Sequence, residues 1–263
     1  MTPPPALSVM RNRAAVAEEL RRLLPRMEGF RSAKTLSFGL SAIDRYLPQG
    51  GLAGGALHEV VPERGGTPAA FGFIVALLAS CFPPPQGGRE KLFLVMPRYG
   101  LREYGRPHGH GLNGLGLDPR RLILVETAHR RETLWAMEEA LRSGAPAAVA
   151  GVIDKLDLKL SQRLHLAATD AGLPLLLLRP AQTLESSAAA TRWRIGTAAA
   201  ARDRFGLIAR ARWHLSLERC RNGRPGEWVV EYDHVAHRFS LAAALADPAH
   251  ARGASEKPFR QAC

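Results

Sequence analysis

The sequence predicts an α/β fold in which a mostly parallel sheet lies between two layers of helices and is followed by an antiparallel hairpin. Short, almost wholly apolar segments alternate with helical segments between residues 56 and 178, as is typical of parallel strands covered on both faces. The last third of the core instead alternates apolar and polar residues. A length of 263 residues, 46% of them hydrophobic, is sufficient for one substantial core.

The chain divides into three predicted regions. Residues 1–34 contain a Pro-rich leader and an amphipathic helix over residues 9–24 that Pro25 ends. Such a helix docks either on the body of the protein or on a partner chain, and its pattern does not separate the two. Residues 35–246 form the core, and residues 247–263 form a basic tail that we expect to be disordered.

The first half of the core begins with a short helix that Ser41 is expected to cap, followed by a strand over residues 56–61. The loop PERGGT then leads to a helix, AAFGFIVALLASCF, that is apolar on nearly every side and therefore buried. Pro68 suits the first turn of this helix. A strand over residues 92–96 and a Gly-rich crossing over residues 99–116 follow.

The second half of the core continues the alternation. We predict strands over residues 122–126, 147–153 and 175–178, and helices over residues 132–143 and 160–171, the second of which Gly172 ends. The segments ARWHLSLERC and GEWVVEYD then show the two-residue period of strands with one solvated face. Asn222 and Gly223 supply a turn between them, which predicts an antiparallel hairpin at the edge of the sheet.

Composition indicates a basic, cytoplasmic protein. The formal charge of +12 and a pI near 10.5 favour nucleic acid as a partner, although 31 arginines against five lysines would also follow from codon bias in a GC-rich genome. The sequence has no signal peptide and no apolar run long enough to span a membrane. Cys81, Cys220 and Cys263 lack paired spacing, which predicts isolated reduced thiols and neither disulfides nor a zinc site.

Three segments resemble the core of the RecA family over about residues 35–241: FGLSAIDRYLPQGGLAGGALHEVV, GLGLDPRRLILVETAHRRETLWAMEEALRSGAPAAVAGVI and RARWHLSLERCRNGRPGEWVVEYD. Within that superfamily the chain is most similar to the ImuA family of mutagenesis accessory proteins, which is also related to SulA. The strings LLLLRP, SSAAATRWRI and SLERCRNGRPGEW carry this resemblance. It implies a RecA-like three-layer sandwich with a degenerate nucleotide site.

The resemblance also shows which catalytic residues are missing. A RecA-type ATPase needs a lysine that binds the terminal phosphates and a Ser or Thr hydroxyl that ligates magnesium. It also needs a carboxylate at the ends of two strands. Pro68 stands at the lysine position and Ala69 at the hydroxyl position. Pro97 replaces the carboxylate that activates water, and Val152 replaces the second carboxylate, with Asp154 two residues out of register. We therefore predict that the chain is not an enzyme and uses no cofactor.

The loop nevertheless keeps Gly65, Gly66 and Thr67 before a helix N-terminus, where backbone dipoles attract phosphate. These three residues are a candidate vestigial phosphate loop. The alternative is an ordinary connection between a strand and a helix.

A dense basic stretch lies between residues 179 and 224, which hold ten arginines and three acids. In RecA-like proteins the loop that follows the strand at residues 175–178 is mobile and contacts single-stranded DNA. Arginine neutralises phosphates and aromatic rings stack on unpaired bases. Alternatives are a surface for an acidic partner protein, or a solvated strand face with Trp193 in the core. The candidate nucleic-acid residues are Arg179, Arg192, Trp193, Arg194, Arg202 and Arg204.

The remaining groups of potential metal-binding or catalytic residues are weak evidence for a site. His108 and His110 flank Gly109 in the crossing, but the further ligands that a metal requires are not evident, and no catalytic Ser, His and Asp set stands out.

The resemblance implies a non-catalytic scaffold in SOS-induced, error-prone translesion synthesis. Its partners would be an ImuB-type inactive Y-family polymerase-like protein and an error-prone C-family polymerase, with RecA and single-stranded DNA as further contacts, on the nucleoid. Two alternatives stay open: a DNA-stimulated ATPase or recombination protein with an atypical site, and a SulA-like cell-division inhibitor.

Overall fold

The computed structural model describes residues 35–82, 91–100, 105–183, 185–202 and 204–242. The predicted N-terminal helix and the basic tail lie outside these residues. Five α-helices are described within them: α1 (Ser41–Asp44), α2 (Thr67–Cys81), α3 (Gly109–Gly114), α4 (Arg130–Ser143) and α5 (Leu158–Ala171), together with 3₁₀ turns at Pro48–Gly50 and Pro119–Arg121. The strands are β1 (Leu57–Pro62), β2 (Leu92–Pro97), β3 (Leu122–Thr127), β4 (Ala148–Val152), β5 (Leu175–Leu178), β6 (Thr191–Thr197), β7 (Ala201–Arg202), β8 (Ile208–Cys220), β9 (Gly226–Asp233) and β10 (Arg238–Leu241).

The strands form one sheet in the order β10-β9-β8-β6-β1-β5-β4-β2-β3, and β7 pairs with β8. The six strands from β6 to β3 are mutually parallel, whereas β8, β9 and β10 each run antiparallel to their neighbours. The structure confirms the predicted α/β class, the mostly parallel sheet and the C-terminal antiparallel hairpin. The hairpin does not lie at the edge, because β10 adds one more strand outside it.

Helices cover the two faces of the parallel half. The largely apolar helix α2 packs with Phe38, Trp193 and Trp213 on one face, and β8, β9 and β10 extend the same core. Helices α4 and α5 cover the opposite face through Met137, Leu141 and other apolar side chains. Burial on both faces explains why β1 and β5 have no exposed residue. The molecule is therefore a three-layer sandwich.

Local signals set most of the helix ends. Gly172 adopts a left-handed φ of 65° directly after α5, as its predicted role as a helix terminator requires. Pro68 lies in the first turn of α2, as predicted. The expected cap at Ser41 is wrong: Ser41 is the first helical residue of α1, and Leu40 precedes it without a side-chain hydrogen bond. The short helix α3 within the Gly-rich crossing was not predicted.

Candidate functional site

The predicted phosphate loop is a tight turn of residues 63–66 between β1 and α2. The N–H of Gly66 donates to the carbonyl oxygen of Glu63 at 2.8 Å, and Gly65 takes a positive φ of 77° that favours glycine. The N–H of Glu63 donates to the carbonyl oxygen of Ile195 in β6 at 2.8 Å. A phosphate loop instead directs its N–H groups into an open cradle. Gly65, Gly66 and Thr67 thus lie together, but two N–H groups of the turn are already used within the protein.

The electrostatics of this turn do not favour a nucleotide. Pro68 has neither a charge nor an N–H where a lysine would bind phosphate. The carboxylate of Glu63 lies against Gly196 of β6 and accepts a hydrogen bond from Nδ1 of His214 at 3.0 Å when that nitrogen carries the proton. Arg64 is the exposed cation of the turn. The position that a phosphate-binding lysine would occupy therefore has no charge, and the nearest cation along the chain is an exposed arginine.

The two positions where a RecA-type ATPase would carry a carboxylate hold uncharged residues in this chain. Pro97 and Val152 end β2 and β4, which are neighbouring parallel strands, so both residues lie at the sheet edge that carries the turn after β1. Neither side chain can ligate magnesium or take a proton from water. Asp154 lies beyond the end of β4, where its Oδ1 accepts a hydrogen bond from the N–H of Lys155 at 2.7 Å.

A buried ion network joins β1 to the segment that follows β5. Glu59 is fully buried, and its Oε2 accepts hydrogen bonds from Ser187 Oγ and Arg192 Nε, both at 2.9 Å. Arg179 is also fully buried, with Nε 3.5 Å from Glu59 Oε1 and with Nη2 donating to Glu185 at 2.5 Å. Two carboxylates therefore balance two guanidinium groups. Glu59 Oε1 and Arg179 Nε make no hydrogen bond of their own among the described atoms.

Sequence reasoning missed Glu59, although a charged residue within the apolar strand LHEVVP was a visible signal. Lone buried charges are costly, so such a residue indicates a buried partner. The partners come from residues that are more than 100 positions away along the chain, and the local sequence does not identify them.

The predicted DNA-contacting loop contains a strand of the central sheet. Residues 191–197 form β6, which is parallel to β1 and antiparallel to β8 inside the sheet. Trp193 is 2% exposed, and its Nε1 donates to Thr191 Oγ1 at 3.0 Å. Its ring packs on Phe38 with centroids 5.3 Å apart. Trp193 is thus a core residue and cannot stack on a base in this conformation.

Most of the predicted arginines form ion pairs with acidic side chains. Arg179 and Arg192 bind Glu59, while Arg194 forms an ion pair with Glu218 and also donates to the carbonyl oxygen of Pro62 at 3.4 Å. The same pattern continues along the polar face of β8 and β9. There the ion pairs are Arg212 with Glu231, and Arg210 with Glu231 and Asp233. Among the described residues, five arginines of the basic stretch therefore face carboxylates, which come from the stretch itself and from β1 and β9.

Arg202 and Arg204 differ from the other four predicted residues because they lie at the exposed tip of the β7–β8 hairpin. No described carboxylate comes within ion-pairing distance of either residue. Arg202 Nη1 donates to the carbonyl oxygen of Gly206 at 2.5 Å, and the Arg204 guanidinium lies 4.7 Å from the centre of the Phe205 ring. The structure thus brings together two of the six predicted residues at an accessible surface.

The histidines do not form a metal site within the described part of the chain. The rings of His108 and His110 are neighbours with centroids 5.3 Å apart, but no cluster of three or more His, Cys, Asp or Glu residues suited to a metal ion is found among the described residues. His58 is buried and its Nε2 contacts the carbonyl oxygen of Ala53 at 2.9 Å. Burial lowers the pKa of His58 to about 4, so this residue is neutral at physiological pH.

The two described cysteines are free thiols, and their burial makes them poor nucleophiles. Burial raises the pKa of Cys81 to about 12 and that of Cys220 to about 11, and in both the thiol form is favoured. Neither cysteine carries the depressed pKa of a nucleophile.

Comparison with known proteins gives one kind of relative. The chain is 36% identical over 232 residues to "Protein ImuA" of Caulobacter vibrioides strain NA1000 / CB15N, a match that spans 81% of this chain and 90% of the relative. The protein of the same name from strain ATCC 19089 / CIP 103742 / CB 15 matches to the same extent. No protein-family model matches the sequence. In the described residues, no helix combines the length and apolar character that crossing a membrane requires.

Proposed function

The chain belongs to the ImuA family, and we propose that it is a non-catalytic accessory protein of damage-induced, error-prone DNA synthesis. One observation supports the absence of catalysis above all others. The positions where a RecA-type motor holds its cation and its two carboxylates carry Pro68, Pro97 and Val152 at the same sheet edge. Because the turn after β1 is closed and contains a carboxylate, restoring one of these residues alone would not rebuild the site.

An assay of phosphate release tests this proposal. We expect no magnesium-dependent ATP turnover by the purified chain, with or without single-stranded DNA. A variant with Pro68→Lys and Ala69→Thr restores the phosphate lysine and the magnesium hydroxyl, and we expect it to remain inactive because both carboxylates are still missing. Turnover by the unmodified chain that a substitution within residues 64–70 abolishes would overturn the proposal.

A scaffold role completes the proposal. We infer that the chain assembles with an ImuB-type polymerase-like protein that lacks activity and with an error-prone C-family polymerase, near RecA on the nucleoid. Family membership supports this inference. Affinity purification of the tagged chain from cells exposed to a DNA-damaging agent tests it. Recovery of a cell-division GTPase in place of a polymerase would contradict the mutagenesis role.

Contact with single-stranded DNA is the finer part of this proposal. Of the six residues first considered, Arg202 and Arg204 retain exposed guanidinium groups. We expect fluorescence anisotropy with labelled oligo(dT) to show binding whose salt slope falls by about 1–2 when both residues are replaced by alanine. Arg120→Ala is the matched control, because Arg120 is also exposed but lies at the other end of the sheet. Equal salt slopes for all variants would rule out this contact.

A further inference from the structure

Three large apolar side chains are exposed next to each other at the tip of the β7–β8 hairpin. Phe205 is 71% exposed, Leu207 is 64% exposed and Ile208 is 69% exposed. Single exposed apolar residues are common on protein surfaces, whereas three large ones within four consecutive residues at one hairpin tip are a candidate interaction site. We name this group the apolar tip.

The hairpin that carries the apolar tip has a formed structure. Arg202 lies opposite Ile208 in the strand pairing, and its Nη1 closes the turn on the carbonyl oxygen of Gly206. Gly206 takes a positive φ of 78°, which the turn requires. At the base of the hairpin, Arg212 is buried against Glu231 and donates to the carbonyl oxygen of Ala199 at 3.4 Å. A preformed tip loses less conformational entropy on binding than a flexible loop.

The two described charged side chains that flank the apolar tip are cations. Arg202 and Arg204 flank it, and the half-exposed Arg210 lies at its base, where Glu231 and Asp233 share its charge. The sequence places one acid, Asp203, between the two flanking arginines. A partner that covers the tip must therefore supply apolar side chains for the centre and carboxylates for the rim.

We propose that the apolar tip docks an acidic segment of a partner protein, with apolar anchors that pack on Phe205, Leu207 and Ile208. The inference rests on the proposed function, because the partner offered in the test is the polymerase-like protein. At the apolar centre of the tip, the aliphatic side chains favour a protein over single-stranded DNA, while the flanking Arg202 and Arg204 are the residues proposed above for DNA contact. Stacking on bases needs aromatic rings or guanidinium planes, which Leu207 and Ile208 lack, while aromatic and arginine side chains around an apolar centre are typical of protein interfaces.

Biolayer interferometry with the purified ImuB-type polymerase-like protein as the probe tests the proposal. We expect the triple variant Phe205→Ser, Leu207→Ser, Ile208→Ser to bind at least 100-fold more weakly, mainly through faster dissociation. The double variant Arg202→Glu, Arg204→Glu should associate at least tenfold more slowly at low salt. The matched control is Val235→Ser, because Val235 is 91% exposed at the separate β9–β10 turn. Circular dichroism and thermal melting establish that each variant is folded.

The outcomes separate this inference from the proposed function. If the unmodified chain does not bind the polymerase-like protein, the scaffold role and the docking surface are both overturned. If the unmodified chain binds and the folded triple variant binds within twofold of it, the docking surface alone is overturned. If the triple variant keeps its affinity for the partner but loses affinity for labelled oligo(dT), the tip is a nucleic-acid surface and the proposal is also overturned.

Discussion

Replacing Glu59 by glutamine should reveal how strongly the buried ion network stabilises the fold. Glutamine keeps the shape of the side chain and still accepts the hydrogen bond from Ser187, but it removes the charge that Arg179 and Arg192 share. Removal of one partner from a buried ion pair costs about 3–5 kcal/mol because a charge is left uncompensated. Arg192 is 13% exposed and Glu185 still faces Arg179, so we expect a loss of about 3 kcal/mol, at the lower end of that range.

Urea unfolding followed by tryptophan fluorescence measures this loss, since Trp193 lies in β6 beside the network. A domain stability of about 5–15 kcal/mol makes a change of this size easy to resolve. Glu218→Gln is the matched control: its partner, Arg194, is 27% exposed, and an ion pair of this kind contributes about 1 kcal/mol or less.

A double-mutant cycle completes the experiment. Glu59→Leu combined with Arg179→Met removes both charges, so the pair should lose less stability than the sum of the two single changes, by about 1–3 kcal/mol. If Glu59→Gln instead destabilises the protein no more than Glu218→Gln, or if the double variant is additive, then charge compensation is not what holds residues 179–192 on the sheet.

Three further predictions concern buried groups. Because burial lowers the pKa of His58 to about 4, the unfolded state binds the proton first as the pH falls below about 6.5. His58 should therefore contribute about 2 kcal/mol to the loss of stability between pH 7 and pH 5, and His165, whose pKa is also lowered to about 4, should add to that loss. His58→Gln should reduce the loss measured by urea unfolding at the two pH values. Cys81 and Cys220 should react with iodoacetamide far more slowly in the folded protein than in urea, and equal rates would contradict their burial. Gly196→Ala would place a Cβ atom in steric overlap with the Glu63 carboxylate, so the variant should be less stable by about 1–3 kcal/mol in urea titrations. Glu63→Ala removes the overlapping atoms and should partly restore that stability.

The elements that the sequence predicted correctly depend on local physics. The apolar runs of β2 and β5 and the helix end at Gly172 follow from side chains within a few positions of one another. The turn before β9 is equally local, because Asn222 takes a positive φ of 61° within it, a conformation that asparagine tolerates. Each of these signals can be recognised without knowledge of the rest of the fold.

Strand β6 shows where local reasoning stops. The alternation Arg192, Trp193, Arg194 fits a basic aromatic loop and a strand with one buried face equally well. Pairing decides between them: β6 fills the place between β1 and β8, where Trp193 enters the core and Arg192 reaches Glu59. That pairing joins residues about 130 positions apart, and its free energy comes from burial that no short window contains.

The amino-acid sequence alone determined the α/β alternation and the uncharged side chains of Pro68, Pro97 and Val152, because helix period, strand period and the identity of a side chain are properties of the chain itself. Only the tertiary structure decided which arginines are available. Among the residues that the structure describes, ion pairs join five of the ten arginines between residues 179 and 224 to carboxylates, and those carboxylates come partly from β1 and β9. Charge counted along a sequence adds up every ionic group, whereas a partner meets only the charges that the fold leaves exposed and uncompensated.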